Sequence, residues 1–226
     1  MTIEKPWATK EVAIAHKYDI VEETTHLNKF VTYCNNLPPS IWSDFPGIKI
    51  LDLGCGNGRV AISLNKYFDY SRRYFYLGTD INEEALIAGR EKLTPNDGSY
   101  IKLINFDVDK TPWDANIILD RRNDSSSMNL LKYDVCLIDS TLHMFYKPLD
   151  VLNEVEKYCD RIYITRNKLE LPSGIQMALF KWGGMTTDSP YWKFSKELFD
   201  NWASIRSKKI TYESGPTPET YNIIIE

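Results

Sequence analysis

Ile48-Lys49-Ile50-Leu51-Asp52-Leu53-Gly54-Cys55-Gly56-Asn57-Gly58-Arg59 is the stretch on which the reading of this chain turns. An apolar run rich in isoleucine and leucine meets an acid, and three glycines follow at alternate positions. A run of that kind is a buried strand feeding a tight turn. Glycine there permits positive φ and lets a ligand approach bare backbone. The spacing is G-x-G-x-G, which differs from the G-x-G-x-x-G of nicotinamide-binding enzymes. A strand-to-helix turn that binds nothing would satisfy the local pattern equally well, so the case rests on what lies downstream.

Three further apolar runs each end at or next to an acid. Tyr74 to Thr79 ends at Asp80, Ile101 to Phe106 at Asp107, and Tyr133 to Ile138 at Asp139. Amphipathic segments separate them: Val60, Ala61, Leu64, Tyr67 and Phe68 after the glycine turn, Glu83 to Lys92, and Leu149 to Tyr158. Strands alternating with helices predict an α/β fold, a parallel sheet with helices on both faces. A fifth strand is expected over Arg161 to Thr165, an irregular stretch over 167–190, and a helix from Trp192 to Ile205. Two closing strands, Lys208 to Glu213 and Tyr221 to Ile225, flank Gly215-Pro216-Thr217-Pro218 and read as an antiparallel hairpin. Helical spacing over 8–36 stops before Leu37-Pro38-Pro39, where proline blocks continuation. The whole chain, 1–226, reads as one domain: an N-terminal helical cap (1–40), a core (45–166), and a final segment with the hairpin (167–226). Residues 114–132 combine a short apolar patch with a polar run read as an exposed loop, of no assigned role.

Composition narrows the partners. With 226 residues, a net charge of −4, 43% hydrophobic and 26% charged residues, the chain has the balance of a globular protein. The acidic balance argues against a nucleic-acid partner, since phosphate-backbone binders are usually basic. Four scattered cysteines without a CxxC pair read as reduced thiols, and the three dispersed histidines leave no metal-ligand spacing, so no metal is expected. No apolar leader or membrane-length apolar run is seen, which predicts a cytoplasmic protein without a membrane partner. The expected state is a monomer or homodimer.

In an open α/β sheet, ligands bind outside the carboxyl ends of the strands. A carboxylate at Asp80 can take both hydrogen bonds of a ribose diol, although an acid there also suits a helix N-cap. Asp107 can accept from an exocyclic amine while Val108 or Phe106 packs on an aromatic ring. Asp139 precedes Ser140-Thr141-Leu142-His143, and His143 can serve as a general base, since an unperturbed imidazole titrates near neutral pH. A buried structural histidine is the plainer reading of the same residue. Trp192, Phe199 and Trp202 read as core, whereas Trp182 and Tyr191 are candidates for a substrate wall.

Taken in order, ILDLGCGNGR, YLGTDIN, FDVDKTPW and YDVCLIDSTLHMF resemble the motifs of class I S-adenosylmethionine (SAM)-dependent methyltransferases, over about residues 45–166, and the last resembles the fourth motif of the small-molecule subgroup. The resemblance implies a Rossmann-like three-layer sandwich with a seven-stranded, mostly parallel sheet of order 3-2-1-4-5-7-6, strand 7 antiparallel, plus the N-terminal helical extension. It implies SAM as cofactor and S-adenosylhomocysteine (SAH) as product. Its expected contacts are Asp52, Gly54, Cys55, Gly56, Asn57 and Gly58 in the first turn, Asp80 and Ile81 at the ribose, Asp107 and Val108 at adenine, Asp139 at the methionine amine or the acceptor, and Tyr18 from the N-terminal helix. His143 and Asp139 are the expected catalytic pair, and the acceptor is expected to be a small molecule methylated on oxygen or nitrogen. No Asn/Asp-Pro-Pro-Tyr and no Pro-Cys occurs, which speaks against adenine-amine and cytosine-C5 chemistry. A second metal-ligand acid, such as the metal-dependent catechol subgroup carries, is missing at Thr165-Arg166-Asn167. A protein or RNA methyltransferase, or a non-catalytic SAM-binding subunit, would share the same first turn.

Overall fold

The computed structural model describes residues 25–38, 45–69, 71–96, 98–119, 132–180, 189–217 and 219–226. Tyr18, Trp182 and the polar run at 120–131 lie outside them. Nine strands are present among the described residues: β1 (Ile48–Leu53), β2 (Tyr74–Asp80), β3 (Tyr100–Asn105), β4 (Val135–Asp139), β5 (Ile162–Leu171), β6 (Ile175–Phe180), β7 (Ser189–Ser195), β8 (Ile210–Ser214) and β9 (Thr220–Ile225). The helices are α1 (Thr25–Asn36), α2 (Arg59–Tyr67), α3 (Glu83–Arg90), the short α4 (Ala115–Ile118), α5 (Pro148–Tyr158) and α6 (Lys196–Ile205).

β1 lies between β2 and β4, all parallel, with β3 beyond β2 and β5 beyond β4. β9 runs antiparallel to β5 and β8 antiparallel to β9. With β9 and β8 counted as the seventh and sixth strands, this is the expected 3-2-1-4-5-7-6 order. The departure is a hairpin inserted after β5. The strand expected to end at Thr165 continues to Leu171, where Leu169 and Leu171 pair with β7, and β7 pairs antiparallel with β6. The segment expected to be irregular is therefore largely strand. The helix expected from Trp192 begins at Lys196, because Ser195 caps it, its hydroxyl accepting from the Leu198 amide at 3.1 Å.

The central strands are buried on both faces, as parallel strands under helices must be. Their side chains divide strictly by parity. Ile48, Ile50, Tyr74, Tyr76, Val135, Leu137 and Tyr163 pack with α1, α2 and α3. Leu51, Leu53, Phe75, Leu77, Cys136, Ile138, Ile162 and Ile164 pack with α4, α5 and α6. The period of two sets this division, and it makes the three layers. α1 ends at Asn36, before the prolines. The Arg72 guanidinium donates to the carbonyls of Cys34, Asn35 and Leu37, so a cation sits where the helix leaves its carbonyls unpaired. All four cysteines are free and buried.

One strand position breaks the apolar rule. Lys49 is fully buried in the middle of β1, its ammonium 3.2 Å from the Asp134 carboxylate. The same carboxylate oxygen accepts the Lys49 backbone amide at 2.7 Å. The two ways of breaking the pair are unequal. Asp134→Ala strands a buried ammonium and should cost roughly 3–5 kcal/mol, the range for removing one partner of a buried ion pair. Lys49→Met leaves Asp134 with its backbone donor and a flexible apolar neighbour of similar length, and should cost much less. Urea denaturation of both variants checks the asymmetry; equal losses would show that the ion pair does not govern this site.

Candidate functional site

The glycine turn follows β1, and Gly54, Gly56 and Gly58 all take positive φ, at 70°, 56° and 74°. The Gly54 and Cys55 amides both donate to the Thr79 carbonyl, at 2.8 and 2.9 Å, and the Thr141 hydroxyl donates to the Leu53 carbonyl at 2.9 Å. The turn is thus fastened to the end of β2 on one side and to the segment after β4 on the other. A Cβ at Gly54 would come within 2.8 Å of Thr141, whereas a Cβ at Gly56 would meet nothing within 4 Å. Gly56 is where bare backbone faces open space.

Asp80, at the end of β2, is turned toward that point. One carboxylate oxygen accepts the Gly56 amide at 2.8 Å and the other the Asn82 amide at 2.8 Å. The N-cap reading of Asp80 is corrected here: Asn82 caps α3, its side chain accepting from Ala85 at 3.2 Å. Ile81 is half-buried beside Asp80, its carbonyl accepting from the Asn105 side chain at 2.9 Å. Asp107 lies just past β3, accepting from the Asp109 amide at 3.2 Å, and Phe106 meets Trp113 edge-on, with centroids 5.9 Å apart.

Other members of the expected set stand behind this surface. Asp52 is fully buried beneath the turn, where the Tyr76 hydroxyl donates to it. Burial pushes its pKa up to about 8, with the nearby Asp139 and Asp80 charges adding to the rise. Direct ligand contact by its side chain is corrected on that ground: Asp52 braces the turn from below. Cys55, Asn57 and Val108 are also buried, the Cys55 thiol facing the Gly56 carbonyl at 3.6 Å. Val108 belongs to the core, its carbonyl accepting from the Trp113 indole at 2.8 Å.

Beyond β4 the structure gathers a cluster the sequence reading missed in part. The Asp139 carboxylate is 3.0 Å from Arg59 and 3.5 Å from Arg166, and Thr165 donates to its other oxygen. Its oxygens take two guanidinium groups and the Thr165 and Ser140 hydroxyls, so Asp139 positions those side chains. Arg59 closes the opening motif and Arg166 stands at the end of the expected fifth strand. Neither was assigned, because an arginine in such places usually reads as solvated surface. Two non-glycine residues here hold positive φ, Ser140 at 58° and Arg166 at 52°. That conformation is uncommon outside glycine and clusters at functional sites. The pairing of β5 with β9 shifts register across Ile164 to Asn167, which is how Arg166 escapes the regular strand.

His143 sits on a 3-10 turn after β4 (Leu142–Met144), buried, with the Tyr191 ring of β7 tilted against it at 4.7 Å between centroids. Burial, and then the Arg166 charge, lower its pKa to about 4. The imidazole is therefore neutral at pH 7 and a weaker base than a free imidazole. Among the described residues no group of three or more His, Cys, Asp or Glu is arranged to hold a metal ion, and no helix is long and apolar enough to cross a membrane.

Comparison with known proteins agrees with this arrangement. Residues 44–167 match the family described as methyltransferase domain. No curated protein matches the chain. Among solved structures, a putative SAM-dependent methyltransferase from Listeria monocytogenes is similar with a TM-score of 0.61 at 13% identity, over 90% of this chain and 98% of that one. SAM-bound CalS10, an amino pentose methyltransferase from Micromonospora echinaspora, gives 0.58 at 10% identity, over 99% and 98%. SAH-bound magnesium protoporphyrin IX methyltransferase from Synechocystis PCC 6803 gives 0.54 at 15% identity, over 94% and 82%. A glycine turn with one open backbone position, an acid anchored at the next strand end and a family match over more than half the chain lead to one conclusion: this chain belongs to the methyltransferase-domain family and is a class I SAM-dependent methyltransferase.

Proposed function

We propose that the chain transfers a methyl group to an oxygen or nitrogen of a small-molecule acceptor. The observation that carries this reading is the open backbone at Gly56 beside the Asp80 carboxylate, which fits the donor. We assign the acceptor side to the segment after β4, where His143 packs against Tyr191. A ring packed over the imidazole favours acceptors small enough to enter between β4 and β7. Two structural neighbours are named for small molecules, an amino pentose and magnesium protoporphyrin IX, which supports the same class.

The described residues fit the cofactor. A Cβ-free position faces open space, and a carboxylate beside it is held by two backbone amides. Gly54, Gly56 and Gly58 would shape the turn around the donor, Asp80 and Ile81 would hold the ribose, and Asp107 with Phe106 would border adenine. When bound, SAM supplies an electrophilic methyl on a sulfonium sulfur. The protein's task is then to orient the acceptor atom and exclude water. His143, neutral at working pH, takes the proton that an oxygen or nitrogen acceptor sheds at an imidazole nitrogen. Tyr18 and Trp182, outside the described residues, remain proposals from the sequence for the cofactor and substrate sides. A cytoplasmic location and a monomeric or homodimeric state are proposed on the same basis.

Titration calorimetry with SAM and SAH tests the donor half, and absence of binding to both would overturn the proposal. Asp80→Ala should weaken SAH by roughly 1.5–3 kcal/mol, about one to two orders of magnitude in Kd, since hydrogen bonds to a charged acceptor are lost and Gly56 is released. An affinity equal to that of the parent chain would remove Asp80 from the ribose. For the acceptor half, a panel of small alcohols, phenols and amines is screened for SAH release. His143→Gln should lower turnover on the best acceptor about a hundredfold or more while SAH affinity stays level; full turnover would leave proximity as the whole mechanism.

The depressed His143 pKa also fixes a stability profile. The unfolded histidine binds a proton near pH 6.5 and the folded one only near 4, so stability rises with pH between those values. His143 thus contributes stability fully above about 6.5, and that contribution is lost as pH falls toward 4. Denaturation midpoints of the parent and of His143→Gln, compared at pH 5 and pH 7.5, should converge at the lower pH.

A further inference from the structure

Arg166 is incompletely paired for a partly buried charged side chain. Its side chain is 28% exposed, and its Nε is buried without a hydrogen-bond partner. Of the five N–H donors a guanidinium carries, one meets an acceptor among the described residues, Asp139 at 3.5 Å. Burial disfavours the charged guanidinium here. A partly desolvated cation with a buried, unmet donor is costly unless a partner arrives.

Among the described residues, the surroundings do not supply that partner. Arg59 reaches the same Asp139 oxygen at the shorter distance of 3.0 Å, so two guanidinium groups share one carboxylate oxygen and Arg166 holds the weaker claim on it. Glu170, further along β5, is ion-paired to Lys193 at 3.0 Å and lies 3.7 Å from Lys168. His143 is neutral and adds no anion. The placement also separates the two arginines by task. Arg59 opens α2 directly after the glycine turn, on the donor side. Arg166 is on β5, across β4 from that turn, and its charge acts on His143, which packs against Tyr191 of β7.

We propose that Arg166 is the specificity residue of the acceptor site, and that the acceptor carries an oxyanion, a carboxylate or phosphate group, which the Arg166 guanidinium takes along its planar donor edge. This deepens the methyltransferase reading and rests on it. A guanidinium fork matches two oxygens of one carboxylate or phosphate, and a strained backbone aims it with little conformational freedom to lose. Asp139 serves as the placeholder that keeps the fork oriented before the acceptor enters.

The test uses the full chain saturated with SAH and three probes of similar shape: benzoate, phenyl phosphate and neutral benzamide. Calorimetry should show one of the two anions binding about tenfold or more tightly than benzamide, and which anion wins separates carboxylate from phosphate. In Arg166→Gln that preference should fall to about twofold or less, with SAH affinity unchanged. Arg166→Lys should keep part of the charge effect and lose the discrimination between the two anions. Equal binding of benzamide and both anions to the parent chain overturns the inference, and this comparison needs no variant to fold. So does an anion preference retained in Arg166→Gln, or a loss of SAH affinity in that variant with its thermal transition unchanged, which would give Arg166 to the methionine carboxylate of the donor instead. Failure of SAH to bind the parent chain would be a failure of the methyltransferase reading itself.

Discussion

The parallel register of β1 against its two neighbours decides where every group of the site stands. Leu53 is level with Thr79 on β2, and Asp52 with Gly78 on one side and Leu137 on the other. That alignment brings the Thr79 carbonyl under the Gly54 and Cys55 amides and ends β4 where Thr141 can reach the Leu53 carbonyl. A slip by one residue would turn every side chain of β1 to the opposite face. It would place Lys49 among α1, α2 and α3, away from the face it now shares with Leu51 and Leu53. The buried lysine and its carboxylate partner therefore help specify the register that the glycine turn needs.

Burial is also what gives the acidic and basic groups their unequal roles. Asp52, Asp80 and Asp139 have the same side chain within one small region. Asp52, fully covered, has its pKa raised and acts as a brace. Asp80 faces the open position at Gly56, and Asp139 is held between guanidinium groups. Environment and not residue type assigns the work, as is usual where titratable groups cluster.

The sequence was most legible where periodicity and glycine spacing coincide. The four parallel strand ends, the acids that mark them and the closing antiparallel hairpin follow from alternation and turn residues alone. The β6–β7 hairpin was not legible. Its strands carry Gly174 and Pro190 at or near their ends, signals that elsewhere mark loops, and their pairing depends on the extra length of β5, a tertiary fact. The depth of a side chain was equally hidden: nothing local distinguishes Asp52, which is buried, from Asp80, which is not. Arg59 and Arg166 were invisible as a pair because they lie far apart in sequence and meet only through Asp139.

The burial of Cys55 bears on a hazard specific to this chemistry. A thiolate is among the strongest nucleophiles a protein contains, and this one sits inside the turn of an enzyme that handles an electrophilic methyl group. Burial, reinforced by the Asp52 and Asp80 charges, raises the Cys55 pKa well above that of an ordinary thiol. The sulfur is thereby kept protonated and turned inward toward Gly78. The packing that lets cysteine sit between two glycines thus keeps its sulfur off the open face of the turn.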